Sequence, residues 1–123
     1  MIENGDYATL VKSDKLGIAG RFDELSYALG RQKLVLTDFK SGKNYSFTHE
    51  VQMGFYSLLL REDPRWQKEV DRVCIFYLEI EKDGDSGMHW YWQGKIRKLE
   101  TLAMCYLKAY RHYEQFEKEI GRW

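Results

Sequence analysis

The segment MHWYWQGKIRK, residues 88–98, sets a run of aromatic side chains beside several cations. Aromatic rings combined with positive charge are what proteins use to stack and hold a single strand of nucleic acid. On a continuous helix, however, positions two apart diverge by about 200°, so these rings and cations do not share one surface. We therefore assign Trp92 to the core and interpret Trp90 and Tyr91 as residues that contact another protein, because Trp and Tyr are enriched at interface centres.

The polar residues that could act in catalysis or bind a metal form no arrangement that we recognise. His49, His89 and His112 each lack a second histidine three or four residues away, so no helix presents two imidazoles to a metal. The neighbouring carboxylates Asp23 and Glu24 are interpreted as the start of a helix. The sequence also contains no glycine-rich phosphate-binding loop and no nucleophile motif. We therefore expect no catalytic residue, no bound metal and no cofactor.

Composition bounds the class of protein. The chain has 123 residues, of which 44% are hydrophobic and 15% aromatic, with a single proline. This predicts one compact domain over residues 1–123, large enough to bury a core without disulfides. Nineteen basic residues balance nineteen acidic ones, whereas proteins that mainly bind nucleic-acid phosphates usually carry a positive excess. The charge balance therefore makes nucleic acid the less favoured partner.

Two features of the sequence concern location. The N-terminal residues 1–10 include acidic side chains and lack the apolar stretch of a signal peptide. The longest apolar run, residues 73–78, is far shorter than the roughly 20 residues that span a bilayer. We expect a cytoplasmic protein with no membrane partner.

Periodicity in the first part of the chain predicts a short strand at residues 7–11 and then a short helix. The helix is predicted over residues 20–30, GRFDELSYALG, because Phe22, Leu25 and Leu29 lie at i, i+3 and i+7 between two glycines.

A β-hairpin and a helix are predicted next. Residues 33–48, KLVLTDFKSGKNYSFT, alternate around a glycine-containing turn at 40–43, as a hairpin does. Thr48 is a suitable N-cap for a helix over residues 51–62. Gly54 is expected to weaken that helix by about 1 kcal/mol relative to alanine.

The segment from residue 63 to residue 82 is ambiguous. Asp63 and Pro64 are typical of a helix start, and no Gly, Pro or Asn interrupts residues 65–82. The β-branched and aromatic residues within 73–82 favour a strand instead. We prefer the helix, which would pair with the helix that follows.

The longest periodic pattern predicts an amphipathic helix in the C-terminal third of the chain. Its apolar face comprises Trp92, Ile96, Leu99, Ala103, Tyr106, Tyr110 and Tyr113. Its basic face comprises Arg97, Lys108, Arg111, Lys118 and Arg122. The predicted fold class is therefore α+β, with a small β-hairpin packed on helices and a C-terminal antiparallel helical hairpin that ends in a long amphipathic helix.

Three functional hypotheses follow, and a non-enzyme is preferred. The first is a small non-catalytic protein-binding module, an adaptor or inhibitor, that presents an aromatic and charged helical surface to a larger protein or to a second copy of itself. The second is a nucleic-acid-binding protein that uses the basic stripe of the C-terminal helix. The third is a small enzyme with a site assembled from distant residues. The predicted partner-binding residues are Trp90, Tyr91, Arg97, Lys108, Arg111 and Trp123.

Overall fold

The residues that the structure describes form one sheet and two helices, which confirms the α+β class and the long C-terminal helix. The computed structural model describes residues 6–28, 33–41, 46–78 and 87–121. The strands are β1 (Asp6–Ser13), β2 (Ile18–Ala28), β3 (Lys33–Lys40), β4 (Arg72–Tyr77) and β5 (Met88–Trp92), and the helices are α1 (Phe47–Glu62) and α2 (Gln93–Glu119). The strands lie side by side in the order of the chain.

The pairing of the strands explains where α1 must lie. Strands β1, β2 and β3 pair antiparallel in turn, and β4 pairs antiparallel with β5. Strands β3 and β4 are parallel. Two parallel neighbours need a connection that returns to the starting edge of the sheet, and α1 is the helix in that connection.

The hydrophobic core lies between the sheet and α1. It includes Phe22, Leu36 and Ile75 from the strands and Met53 and Leu60 from α1, all of them fully buried. Their packing fixes α1 against the strands that carry the polar residues described below.

Helix α2 packs mainly against α1, and Gly54 makes this contact possible. A β-carbon on Gly54 would collide with the backbone carbonyl of Leu99 and would lie 3.1 Å from Cβ of Ala103. The glycine that weakens α1 in isolation is therefore required by the close approach of α2.

The helix predicted over residues 20–30 is wrong, because most of this segment belongs to strand β2. Phe22 and Leu25 are both buried, but not because they share one face of a helix. Phe22 packs edge-on against Trp66 at 5.8 Å between ring centroids, whereas Leu25 lies opposite Leu36 in the pairing with β3. Pairing on both edges of β2 outweighed the local periodicity.

The first arm of the predicted helical hairpin is also wrong. Asp63 ends α1 as its C-cap instead of starting a helix, and residues 72–77 form β4. Three successive residues, Val73, Cys74 and Ile75, are buried, as is typical of a parallel strand covered on both faces. Such a strand shows no alternation, so its sequence resembled a buried helix.

The predicted β-hairpin is correct in its first strand only. Strand β3 covers the expected residues, but its antiparallel partner is β2, and Phe47 and Thr48 already belong to α1, whose N-cap is Ser46. Residues 42–45 lie outside the described part of the chain.

Helix α2 follows its predicted apolar face over part of its length. Ile96, Leu99 and Ala103 are buried, whereas Tyr106 and Tyr110 are about half exposed. The helix therefore extends past the core that its first turns cover. In the part of the chain that the structure describes, no helix is both long and apolar enough to cross a membrane.

Candidate active site

Two carboxylates face each other where the pairing of β2 with β3 ends. The register runs as far as Glu24 opposite Thr37, so the next residue on each strand is Asp23 and Asp38, respectively. Beyond that point the Asp23 side chain itself bonds to β3. Its Oδ2 accepts a hydrogen bond of 2.8 Å from the backbone N–H of Phe39. The end of the pairing thus brings two acidic side chains together.

Asp38 and Lys40 extend the row of β3 side chains that forms the core. Side chains two residues apart on a strand point to the same face, and Leu34 and Leu36 on this face belong to the core. Asp38 follows them and is only 2% exposed. The Lys40 ammonium lies 2.6 Å from Oδ2 of Asp38.

The Lys40 ammonium also contacts a side chain of helix α1. Lys40 donates to Oε1 of Gln52 at 2.5 Å, and Nε2 of Gln52 donates to the Tyr56 hydroxyl at 2.8 Å. Gln52 and Tyr56 are four residues apart and therefore lie on the same face of α1. We refer to Asp23, Asp38, Lys40, Gln52 and Tyr56 as the Asp38 site.

The surroundings of the Asp38 side chain disfavour its charged form. Burial raises its pKa from 3.8 to about 6, Lys40 opposes this shift, and the nearby Asp23 carboxylate adds to it. Oδ2 of Asp38 is buried and lies 2.6 Å from the Lys40 ammonium, so this ion pair offsets only part of the cost of burying the charge. Burial also raises the pKa of Tyr56, with Asp38 as a second cause.

A buried carboxylate whose pKa stays raised despite an ion pair with a lysine, and which has a second carboxylate beside it, is what a divalent cation would complement. Oxygen ligands suit Mg²⁺ and Mn²⁺. Among the described residues no group of three or more His, Cys, Asp and Glu side chains is placed to hold a metal. A Mg²⁺ site commonly takes one or two carboxylates and completes its shell with water and substrate phosphate. The Asp23 and Asp38 pair therefore fits such an ion.

Aromatic and imidazole side chains adjoin the Asp38 site. Tyr77 lies opposite Lys40 in the pairing of β4 with β3, and its hydroxyl is 2.9 Å from Nδ1 of His49 on α1. The ring of His89 packs edge-on against Tyr77 at 5.1 Å. Burial lowers the pKa of His49, and the positive charge of Lys40 lowers it further.

The residues predicted to bind a partner lie on two different elements. Trp90 and Tyr91 are neighbours on β5 and so point to opposite faces of the sheet. Trp90 is exposed, whereas the Tyr91 hydroxyl donates to Oε2 of Glu50 at 2.8 Å. Arg97 lies in the first turns of α2, where it forms an ion pair with Glu69.

The two remaining basic residues of that set lie further along α2. Lys108 and Arg111 are exposed, and Arg111 donates to the backbone carbonyl of Leu16 in the turn between β1 and β2. Trp123 lies outside the described residues. None of these side chains belongs to the Asp38 site, and their role in binding a partner stays a prediction.

The residues of the Asp38 site were missed by the sequence analysis for identifiable reasons. Asp23 was assigned to the start of a helix that does not exist. Asp38 was treated as the end of a hairpin strand and Lys40 as the start of its turn, although a charge on the apolar side of a strand is unusual. That contradiction, followed by Gln52 and Tyr56 four residues apart on a helix, is the pattern that could have revealed the site.

Comparison with known proteins identifies the family. A protein-family model described as the PD-(D/E)XK nuclease superfamily matches residues 3–120, which is nearly the whole chain. The chain therefore belongs to the PD-(D/E)XK nuclease superfamily. A comparison with curated proteins gives no significant match.

The motif in the family's name corresponds to residues of the Asp38 site. Asp38, Phe39 and Lys40 have the pattern of an acidic residue, any residue and a lysine. The aspartate beside Asp38 is Asp23, which follows Phe22 instead of a proline. The single proline, Pro64, lies elsewhere.

Family membership overturns two predictions from the sequence. The protein was expected to be a non-catalytic adaptor or inhibitor and not an enzyme, and the match to a nuclease superfamily contradicts both expectations. The error arose because no familiar nucleotide-binding motif is present and because the acidic residues appeared scattered. They are distant in sequence but adjacent at the end of the β2–β3 pairing.

Proposed function

We propose that the protein is a metal-dependent nuclease that hydrolyses phosphodiester bonds at the Asp38 site. The observation that carries the proposal is the buried Asp38 carboxylate, which has a second carboxylate beside it and a lysine ammonium 2.6 Å from its Oδ2. Membership of a nuclease superfamily supports the same chemistry. Nucleic acid is then the substrate, and a cytoplasmic location remains part of the proposal.

Asp23 and Asp38 are the residues that would hold the divalent ion. When bound, such an ion polarises the phosphoryl oxygen and lowers the pKa of the attacking water. The two carboxylates repel each other when both are ionised, and positive charge between them would relieve this repulsion. We therefore expect Asp38 to ionise more readily when the ion is present.

Lys40 supplies a fixed positive charge next to the reacting phosphate. Its ammonium is held by Asp38 on one side and by Gln52 on the other, so it needs little reorientation when negative charge develops on the phosphate. A charge that is already oriented in this way stabilises a transition state more than a mobile one. Gln52 in turn is positioned by the Tyr56 hydroxyl.

The test is a cleavage assay on end-labelled oligonucleotides, single-stranded and duplex, with Mg²⁺ or Mn²⁺. We expect cleavage that stops when EDTA is added and that falls by about a hundredfold or more in Lys40→Met, since loss of one preorganised charge has effects of this size. Lys15→Met is the matched control, because Lys15 is exposed in the turn between β1 and β2 and lies outside the basic face of α2.

The assay also has a clear negative outcome. If no divalent ion supports cleavage of either substrate, the proposed function is wrong. If Lys40→Met cleaves as fast as the Lys15→Met control when both are purified in the same way, the activity does not come from the Asp38 site.

A further inference from the structure

An open groove adjoins the Asp38 site. It lies between the start of β2, helix α1 and Tyr106 of α2, and it has a volume of about 490 Å³. Gln52 and Tyr56 belong both to this groove and to the Asp38 site. A molecule seated in the groove would therefore be next to whatever the carboxylates and Lys40 bind.

Aromatic rings form much of the groove. Phe55 on α1 and Tyr106 on α2 meet edge-on at 6.5 Å between ring centroids, and Tyr56 lies beside them. Tyr106 is 49% exposed, which leaves much of its ring available to a ligand. On the opposite side, the backbone of β2 comes close to Tyr56 because residue 20 is glycine, where a β-carbon would lie 2.8 Å from Cε1 of Tyr56.

Polar groups at one end of the groove distinguish it from a purely apolar cleft. Thr48 and His49 line this end, and Nδ1 of His49 is occupied by the Tyr77 hydroxyl. This contact fixes the orientation of the His49 ring. A flat aromatic ligand with polar edges matches rings along the walls and hydrogen-bonding groups at one end.

We propose that this groove binds one unpaired nucleobase of the strand that is cut, which makes single-stranded nucleic acid the preferred substrate. The inference rests on the proposed function and adds the substrate class to it. The volume lies within the roughly 300–1,000 Å³ of pockets that bury small ligands. A base within a duplex is stacked and paired on its faces and edges, so only an unpaired or extruded base can enter between protein side chains.

The experiment couples a change in the protein to a change in the substrate. An abasic residue is moved position by position along a single-stranded oligonucleotide that has one cleavage site, and KM is measured with Mg²⁺. We expect one position near the cut at which loss of the base raises KM about tenfold for the unmodified protein, as loss of one stacking contact does. In Tyr106→Ala the same abasic residue should change KM by no more than about twofold, because the partner ring is already absent.

Two further variants separate stacking from general damage. Tyr106→Phe keeps the ring and should restore the sensitivity to the abasic residue. Tyr113→Ala removes an exposed aromatic side chain of α2 that does not line the groove, and it should respond to the abasic residue as the unmodified protein does.

The outcomes distinguish this inference from the proposed function. If cleavage occurs but the effects of Tyr106→Ala and of the abasic residue multiply, or if duplex is cut as readily as single strand, the assignment of the groove is wrong while the nuclease function stands. If no metal-dependent cleavage occurs at all, the proposed function fails and the substrate class fails with it.

Discussion

Asp38 and Asp63 are two buried aspartates in opposite situations. Asp38 is 2% exposed and Asp63 is not exposed at all. Asp63 accepts hydrogen bonds from the backbone N–H groups of Lys12 and Arg65, at 2.9 and 3.0 Å, and from the Arg65 guanidinium. The pKa of Asp63 is accordingly held well below its usual range, with the side-chain bond to Arg65 as the largest cause. Burial instead raises the pKa of Asp38 to about 6.

The difference shows how a carboxylate that stabilises the fold, such as Asp63, can be distinguished from one that we propose to be functional, such as Asp38. Asp63 sits where α1 ends, and its hydrogen bonds join that end to β1. The buried charge is compensated there by hydrogen bonds from two backbone N–H groups and from the Arg65 guanidinium. Asp38 has the Lys40 ammonium 2.6 Å from its Oδ2, but its pKa is still raised. We propose that a bound cation would supply the further positive charge.

The largest expected difference between the two aspartates is in activity. Asp38→Asn removes a charge that we propose binds the metal, and we expect it to lower the cleavage rate by at least about a hundredfold, since even indirect support of a metal ligand contributes 10- to 100-fold. Asp63→Asn should retain activity in proportion to the fraction of protein that is folded. Rates from the gel assay, divided by the folded fraction from circular dichroism, make the comparison. Equal losses in both variants would remove the distinction.

Stability should change in the opposite order. Asp63→Asn leaves backbone N–H donors of Lys12 and Arg65 poorly satisfied, and we expect a loss of about 2–3 kcal/mol in the free energy of unfolding. Asp38→Asn removes a carboxylate that the folded protein disfavours, so at pH 8 and without metal it should gain on the order of 2 kcal/mol. Urea unfolding in EDTA measures both. A destabilised Asp38→Asn protein would show that this carboxylate holds the fold together.

The pH dependence of these stability differences should also have opposite signs. Folded Asp38 keeps its proton up to about pH 6, whereas the unfolded chain releases it near 3.8. The folded state therefore binds more protons in this range, and its stability falls as the pH rises through it. The advantage of Asp38→Asn should appear between these values and be fully present above them.

For Asp63 the sign is reversed, because its pKa is lower in the folded state than in the unfolded chain. Its stabilisation is present above about pH 4 and is lost as the pH falls further. The penalty of Asp63→Asn should therefore shrink in acid. Urea titrations of the three proteins across this range provide the measurement, and parallel curves would contradict the two assigned environments.

The smallest expected effect concerns the support of Lys40. Tyr56→Phe removes the hydroxyl that accepts from Gln52 but keeps the ring that packs beside Gly20. One hydrogen bond of about 1 kcal/mol corresponds to roughly a fivefold loss of kcat. Gln52→Leu should cost more, because it removes the direct contact with Lys40. A larger loss of kcat in Tyr56→Phe than in Gln52→Leu would contradict this order of effects.

The sequence alone predicted those elements in which the spacing of apolar residues matches the burial of their side chains. Helix α1 and the long helix α2 were predicted because their apolar residues recur at helical spacing. Strands β2 and β4 were not, because burial there depends on neighbours that are remote in sequence. Phe22 is covered by Trp66, and β4 is covered on both faces, so neither strand alternates.

The candidate site was less accessible to sequence analysis than the fold. Asp23 and Asp38 become neighbours only through the register of two strands, and Lys40 meets Gln52 only after α1 packs on the sheet. The basic and aromatic residues of α2 attracted attention because they are close together in the chain. Proximity in sequence was a poor guide here, since the acidic pair is built by tertiary structure.

The central claim is that the Asp38 carboxylate binds a divalent cation. Measuring metal binding tests it most directly. Mn²⁺ is titrated into the full chain, and free Mn²⁺ is followed by electron paramagnetic resonance, with Asp38→Asn as the test variant and Asp14→Asn as the control. Asp14 lies exposed in the turn between β1 and β2 and undergoes the same change of charge. We expect saturable binding by the unmodified protein and by Asp14→Asn, and loss of that binding in Asp38→Asn. Binding that is unchanged in Asp38→Asn, or no binding by the unmodified protein, would contradict the account.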